Sequence, residues 1–327
     1  MSDNPITLSL NTSPPQRGDK PGQGVILLLA HGTPNVLGEM AEYLSKVTGG
    51  RPMPQSVIEE LQHRYAEIGL QETPGTEPPP LTKWTLKQAE LLEDEACTTV
   101  YVGMRNWHPY IADTVAQMKA DGVGHAKVIC LAPQNSRTSI GLYKRALMEA
   151  VGNAFTFDFV DGWADEPKLI AAFAERLAAV WPRACAEAGA KVPVLFTAHS
   201  VPTRTVEGEN PDPYADEARR TAALVAEKIL GLTDWRFAFQ SQGMSGGPWL
   251  GPTVEDTLKE LKEQGAAGVV IQPIGFVCDH VEVLYDIDVA FTQTARELGM
   301  KLWRTESLND SPTLVRALVE IATQRIS

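Results

Sequence analysis

Short, almost unbroken apolar runs alternate along the chain with longer stretches in which apolar residues return every three to four positions. The runs at 24–30 (GVILLLA), 99–103, 126–132 and 154–160 have the length and aliphatic, β-branched character of strands. A strand that is apolar throughout, instead of at alternate positions, is one covered on both faces, as in a parallel sheet. Helical periodicity fills 37–46, 55–68, 81–96, 109–120 and 139–151 between them, and the prolines 78, 79 and 80 make 70–80 a loop. The rhythm then repeats: helix 167–188, strand 192–198, helix 215–230, strand 235–240, helix 254–264, strand 269–273, a helix from near Asp279, strand 302–304 and helix 313–325. Strand and helix in regular alternation predict an α/β protein with parallel sheets. The expected organisation is two similar, doubly wound, Rossmann-like domains over 24–160 and 161–304, with the 305–327 segment returning to the first and a ligand cleft between them. Residues 1–23 lack the apolar stretch of a signal peptide and predict a disordered tail.

Composition narrows the possible partners. At 327 residues, 43% hydrophobic and 21% charged, the chain has the make-up of a soluble globular protein. A net charge of −12 argues against a nucleic-acid-binding face, which needs clustered Lys and Arg. No apolar run approaches the roughly 20 residues of a membrane span. Cys97, Cys130, Cys185 and Cys278 are scattered with no CxxC pair, which suits free thiols in the cytoplasm better than a disulfide framework or a cysteine-bound cluster.

The candidate chemistry gathers at strand ends. His31, His199 and His280 each stand at or just beyond the carboxyl end of an expected strand, where open α/β sheets place their ligands. One such imidazole is ordinarily a ring satisfied by backbone at a turn; three at equivalent positions point to a shared site able to carry protons or hold a borderline metal. In 275–288 (GFVCDHVEVLYDID), Glu282 and Asp286 are four apart, hence on one helical face, a spacing that suits a proton relay or a divalent cation. A capping box, with Asp279 as N-cap and Glu282 at the third helical position, explains the same carboxylates without function. Arg51, and the 136–139 stretch containing Ser136 and Arg137, offer a guanidinium fork and hydroxyls for carboxylates, although Arg137 is equally readable as a surface charge. The turn at 246–252 presents Trp249, either to a flat apolar ligand or as a buried staple. It has no GxxxxGK[ST] order, no GxGxxG follows the first strand and no GxSxG accompanies Ser200, which disfavours nucleotide and serine-hydrolase chemistry.

HGTP after the first strand, GRP at 50–52, RYAEIG at 64–69, LAPQNS at 131–136, FTAHSVP at 196–202, the FQSQG and PWLGP segments and GFVCDHVEVLYDID resemble, in order, the ferrochelatases. The likeness runs from about residue 24 to the last helix. It implies a chelatase-type fold with a porphyrin between the halves, and insertion of Fe(II) with loss of two protons, without an organic cofactor or an iron–sulfur cluster. By that resemblance His199 and Glu282 handle pyrrole protons and metal, His280 orients Glu282, and His31, Arg51, Ser136, Arg137, Tyr143 and Trp249 contact the porphyrin. The implied metal set is His199, Glu282, His31 and Asp286. The chain departs from the family at His31, at the single Arg51, in its longer 70–81 loop and at Ala290, where a third carboxylate often stands. PWLGP and DPYADEARRTA look more like the coproporphyrin III enzymes than the protoporphyrin IX enzymes. A cytoplasmic monomer is expected. The rival readings are a non-catalytic haem carrier using His31 and a cobalt or nickel chelatase for another tetrapyrrole.

Overall fold

A computed structural model of the chain describes residues 24–207, 209–243 and 247–324. The expected N-terminal tail and residue 325, the end of the expected last helix, lie outside them. Two four-stranded sheets, parallel throughout, form the frame. The first contains β1 (Val25–Ala30), β2 (Val100–Met104), β3 (His125–Cys130) and β4 (Thr156–Val160), in the order β2-β1-β3-β4. The second contains β5 (Val194–His199), β6 (Trp235–Gln240), β7 (Gly268–Pro273) and β8 (Lys301–Arg304), in the equivalent order β6-β5-β7-β8. In each sheet the order reverses about the first strand. The crevices beyond the carboxyl ends of β1/β3 and β5/β7 are therefore where such a sheet binds ligands.

The helices joining the first strands are α1 (Met40–Val47), α2 (Gln55–Glu67), α3 (Pro80–Ala96), α4 (Ile111–Ala120) and α5 (Ile140–Val151). Then come α6 (Pro167–Ala188), α7 (Tyr214–Glu227), α8 (Val254–Glu263), the single turn α9 (Val281–Leu284), a π-helix (Asp286–Phe291), α10 (Thr292–Glu297) and α11 (Pro312–Thr323). Proline opens α3, α6 and α11, where its missing N–H would have had no intrahelical partner. None of the described helices is long and apolar enough to cross a membrane.

Period-two alternation sorts the buried strand residues between two faces. Leu27 and Leu29 join an outer core with Val115, Met118 and Leu147, whereas Ile26 and Leu28 face inward. In the second sheet Leu195 and Ile271 face an outer core, and Phe196, Ala198 and Val270 face inward. The inward residues of both sheets meet in one buried cluster with Phe173 and Leu177 of α6 and Leu314 and Leu318 of α11. Each sheet has an outer core of its own and a share in a common inner one. The last helix packs on α3, α6 and β3. The buried Lys127 of β3 donates to the Gln324 carbonyl at its end, 2.8 Å away.

Candidate active site

A cavity of about 410 Å³ opens at the carboxyl ends of β1, β3, β5 and β7, within the size range of small-molecule sites. His31, Arg105, Tyr143, His199, Trp249 and Glu282 are among its lining side chains.

His31 directly follows β1. Gly32 comes next at φ +87°, and a Cβ there would lie 2.7 Å from the Trp107 nitrogen, so only glycine lets the chain turn past Trp107. Asn106 Nδ2 lies 3.0 and 3.2 Å from the two ring nitrogens. Burial, followed by the Arg105 charge, lowers the pKa of His31 to about 4. The ring is a neutral base at physiological pH.

His199 is the last residue of β5. Its Nδ1 contacts the Ser200 carbonyl, which leaves Nε2 directed to Glu282 Oε1, 3.5 Å away. Burial opposes the imidazolium, but the Glu282 carboxylate outweighs it and raises the pKa to about 9. Glu282 is correspondingly held well below the usual carboxylate range: burial pushes it up, and His199 and then His280 more than offset this. His280 completes the group, with Nδ1 3.0 Å from the Cys278 carbonyl, its ring edge-on to Phe276 and Nε2 3.9 Å from Glu282 Oε2. That second carboxylate oxygen is buried and accepts no hydrogen bond. A buried anionic oxygen without a donor invites a cation.

The local fold of this segment differs from a capped regular helix. His280, not Asp279, is the N-cap residue of α9. Asp279 turns away to accept from Ser307 Oγ at 2.7 Å and Asn309 Nδ2 at 2.9 Å, with Arg304 Nη1 3.4 Å off, so the capping-box reading does not hold. After one α-turn the chain widens into the π-helix, and Asp286 leaves the cavity wall. Its carboxylate accepts from Ser241 Oγ and lies 3.7 Å from Arg64 Nη1, while burial raises its pKa to about 6. Of the expected metal set, His199, Glu282 and His31 line the cavity and Asp286 does not, and among the described residues no three His, Cys, Asp or Glu side chains are already grouped as a metal site.

Of the expected porphyrin contacts, His31, Ser136, Tyr143 and Trp249 line the cavity and Arg51 and Arg137 do not. Arg51 is exposed and closes its own turn, Nε donating to the Thr48 carbonyl at 3.1 Å. Arg137 Nη2 donates to the carbonyls of Asn210 at 2.6 Å and Thr205 at 3.2 Å. Ser136 is buried with its hydroxyl committed to Asp212 Oδ2, 3.3 Å away, which leaves Thr138 and Ser139 as the accessible hydroxyls of that wall. Burial pushes the Tyr143 phenol well up, so it is neutral beneath the Arg105 guanidinium, 5.7 Å over its ring. Arg105, Tyr43, Tyr65 and Tyr214 were not named as site residues from the sequence, although Tyr65 and Tyr214 fall in quoted segments, yet all four line the cavity. Arg105 follows the end of β2, so the strand-end rule applied to the histidines would have found it.

The ferrochelatase family model matches residues 23–326. The ferrochelatase of Acidobacterium capsulatum is 56% identical over 312 residues, covering 92% of this chain and 94% of that protein. The coproporphyrin III ferrochelatase of Geobacillus thermodenitrificans is 34% identical over 313 residues, covering 92% and 96%. Among solved structures, the cobalt complex of a sirohydrochlorin chelatase from Bacillus subtilis subspecies spizizenii superposes with a TM-score of 0.54 at 10% identity, over 92% of this chain and 94% of that one. That likeness is one of fold. With the sequence match running through all the described elements, the chain belongs to the ferrochelatase family, enzymes that insert a metal ion into a porphyrin.

Proposed function

We propose that the chain inserts Fe(II) into coproporphyrin III in preference to protoporphyrin IX, with His199 and Glu282 handling the protons and the incoming iron. The observation that carries this reading is the His199–Glu282 pair, 3.5 Å apart on the cavity wall, with the second oxygen of Glu282 buried and accepting no hydrogen bond. Insertion exchanges one Fe(II) for two pyrrole protons. The Glu282 carboxylate keeps a proton on His199. Iron arriving at Glu282 neutralises the charge that holds this proton, so His199 releases it to solvent and becomes a base for the first pyrrole N–H. The second proton follows the same route once His199 has discharged the first. His31, neutral because of burial and Arg105, offers a lone pair to the metal from another part of the wall. Arg105, Thr138 and Ser139, the last at the start of α5, suit the porphyrin carboxylates.

The substrate preference is supported by relatives named coproporphyrin III ferrochelatase at 33–35% identity and by the PWLGP turn. We further propose a cytoplasmic monomer, in keeping with the acidic balance and the four free thiols; light scattering after gel filtration tests the monomer. Anaerobic Fe(II) insertion, followed by loss of porphyrin fluorescence with both porphyrins in parallel, tests the reaction. Faster turnover of coproporphyrin III that disappears in His199→Ala and Glu282→Gln is the expected result. Faster turnover of protoporphyrin IX overturns the substrate assignment, and undiminished turnover in the variants overturns the roles of the pair.

A further inference from the structure

Asp212 lies outside the proton and metal machinery, yet its carboxylate is nearly sealed from solvent, with 1% of the side chain exposed. A buried carboxylate needs donors, and this one draws them from both halves of the molecule. From the loop after β3, Arg137 N donates to Oδ2 at 2.7 Å and Ser136 Oγ donates to the same oxygen at 3.3 Å. From the start of α7, Tyr214 N donates to Oδ1 at 3.1 Å. Arg137 reinforces the junction from the other side by donating to the Thr205 and Asn210 carbonyls, and Asp212 N donates to Thr205 O at 2.9 Å.

Both ends of this junction reach the cavity. Ser136 Oγ lies 3.0 Å from Thr138 Oγ1 and accepts from Thr138 N at 3.2 Å, so the carboxylate fixes the cavity segment 136–139 through Ser136. Tyr214, whose N–H Asp212 holds, donates its phenol to the carbonyl of His199 at 2.9 Å. One carboxylate thus sets the hydroxyl wall of the first half relative to the strand end that carries His199. Charge-assisted bonds to a fixed carboxylate are shorter and stiffer than neutral ones, which suits a spacer of this kind.

We propose that Asp212 is a positioning residue for porphyrin binding: through Ser136, the Arg137 amide and Tyr214 it holds Thr138 and Ser139 at a fixed setting against His199. This rests on the ferrochelatase reading of the site. Asp212→Asn keeps the size of the side chain and removes the charge that gathers the donors. The expected result is a KM for coproporphyrin III raised roughly tenfold, as for loss of one charge-assisted hydrogen bond, with the KM for Fe(II) unchanged. A parallel weakening of porphyrin binding in a metal-free fluorescence titration is expected. A merely structural role would lower the active fraction and the melting temperature and move neither KM. Thr138→Ala should raise the porphyrin KM in the same direction. The double variant should be no worse than the poorer single one, because Asp212 acts through that segment. Additive effects, or an unchanged porphyrin KM in Asp212→Asn, overturn the proposal. If Asp212→Asn does not fold, Arg137→Ala, which alters a half-exposed side chain of the same junction, must reproduce the KM split, and failure to do so overturns it equally. Absence of any porphyrin binding by the unsubstituted chain would instead overturn the ferrochelatase reading itself.

Discussion

At the scale of single residues, the site is an ion pair waiting for a competitor. The His199 pKa is raised from its ordinary 6.5 to about 9. The stabilisation it gives the fold is complete below pH 6.5 and is lost as the pH rises through about 9. Glu282 is shifted the other way, so its share is present above its ordinary 4.5 and is lost on acidification below that. Glu282→Gln should bring the His199 imidazole, followed by NMR, from about 9 down to or below its ordinary 6.5, because burial is then largely unopposed. The variant should also lose the decline in melting temperature between pH 6.5 and 9, and reduce kcat roughly 10²- to 10⁴-fold. An imidazole still titrating near 9 in the variant would assign the shift to something other than Glu282. The histidines were legible in the sequence because each stands at or just beyond a strand end, and Glu282 because it lies four residues from Asp286 in the same polar segment. That Arg51 and Arg137 lie off the cavity wall was not legible, because the place of an exposed guanidinium depends on which loop carbonyls the fold brings to it. Asp212 opens the DPYADEARRTA segment, but its positioning role gave no signal, since its donors from the other half come from positions 75 and 76 residues away and only the finished fold assembles them.

At the scale of elements, catalytic geometry depends on how closely β5 and β7 approach where they end. A Cβ at Gly275 would lie 3.0 Å from Ala198 Cβ and 3.2 Å from Ala198 Cα, immediately before His199. Gly275→Ala must therefore push the His199 strand and the Glu282 turn apart. Overpacking of this kind costs about 1–3 kcal/mol, but the larger effect should be on kcat, because the pair already stands at 3.5 Å. Ala198→Gly in that background removes one of the colliding carbons and should restore part of the lost kcat. Failure of this rescue in a folded double variant would separate kcat from the strand approach. The alternation of strands and helices was readable because period-two and period-3.6 patterns differ strongly, and the predicted bounds of most elements fall within two residues of those observed. The π-helix at Asp286–Phe291 was not readable. A single wide turn leaves the apolar spacing almost unchanged, and what it alters is where Asp286 points: to Ser241 and Arg64 and not to the cavity.

At the scale of the whole molecule, two halves of equivalent topology behave as one body because they share a core. The repeat of sheet order was implicit in the repeated βαβ pattern. The shared core was not, since periodicity says that a face is buried without saying against what. Ile26, Leu28 and Ile129 of the first sheet are buried in the same cluster as Phe196 and Val270 of the second, with α6 and α11 among them. A fragment ending at residue 160 would expose that face and is expected not to fold. In the intact chain the polar ties run the same way: Gln134 Nε2 donates to the Ile274 carbonyl at 3.0 Å, Asn135 N to Glu217 at 2.6 Å and Gln88 Nε2 to the Asn309 carbonyl at 2.8 Å. Urea unfolding should accordingly show one transition, with Trp107 of the first half and Trp235 of the second, each retained in turn as the sole fluorophore, giving the same midpoint. A porphyrin that binds in the cavity, as proposed, should move both midpoints together by about 2.7 kcal/mol at a hundredfold excess over its Kd. Midpoints that separate, or a porphyrin shift confined to one tryptophan, would mean that the halves unfold independently and that the ligand reads only one of them.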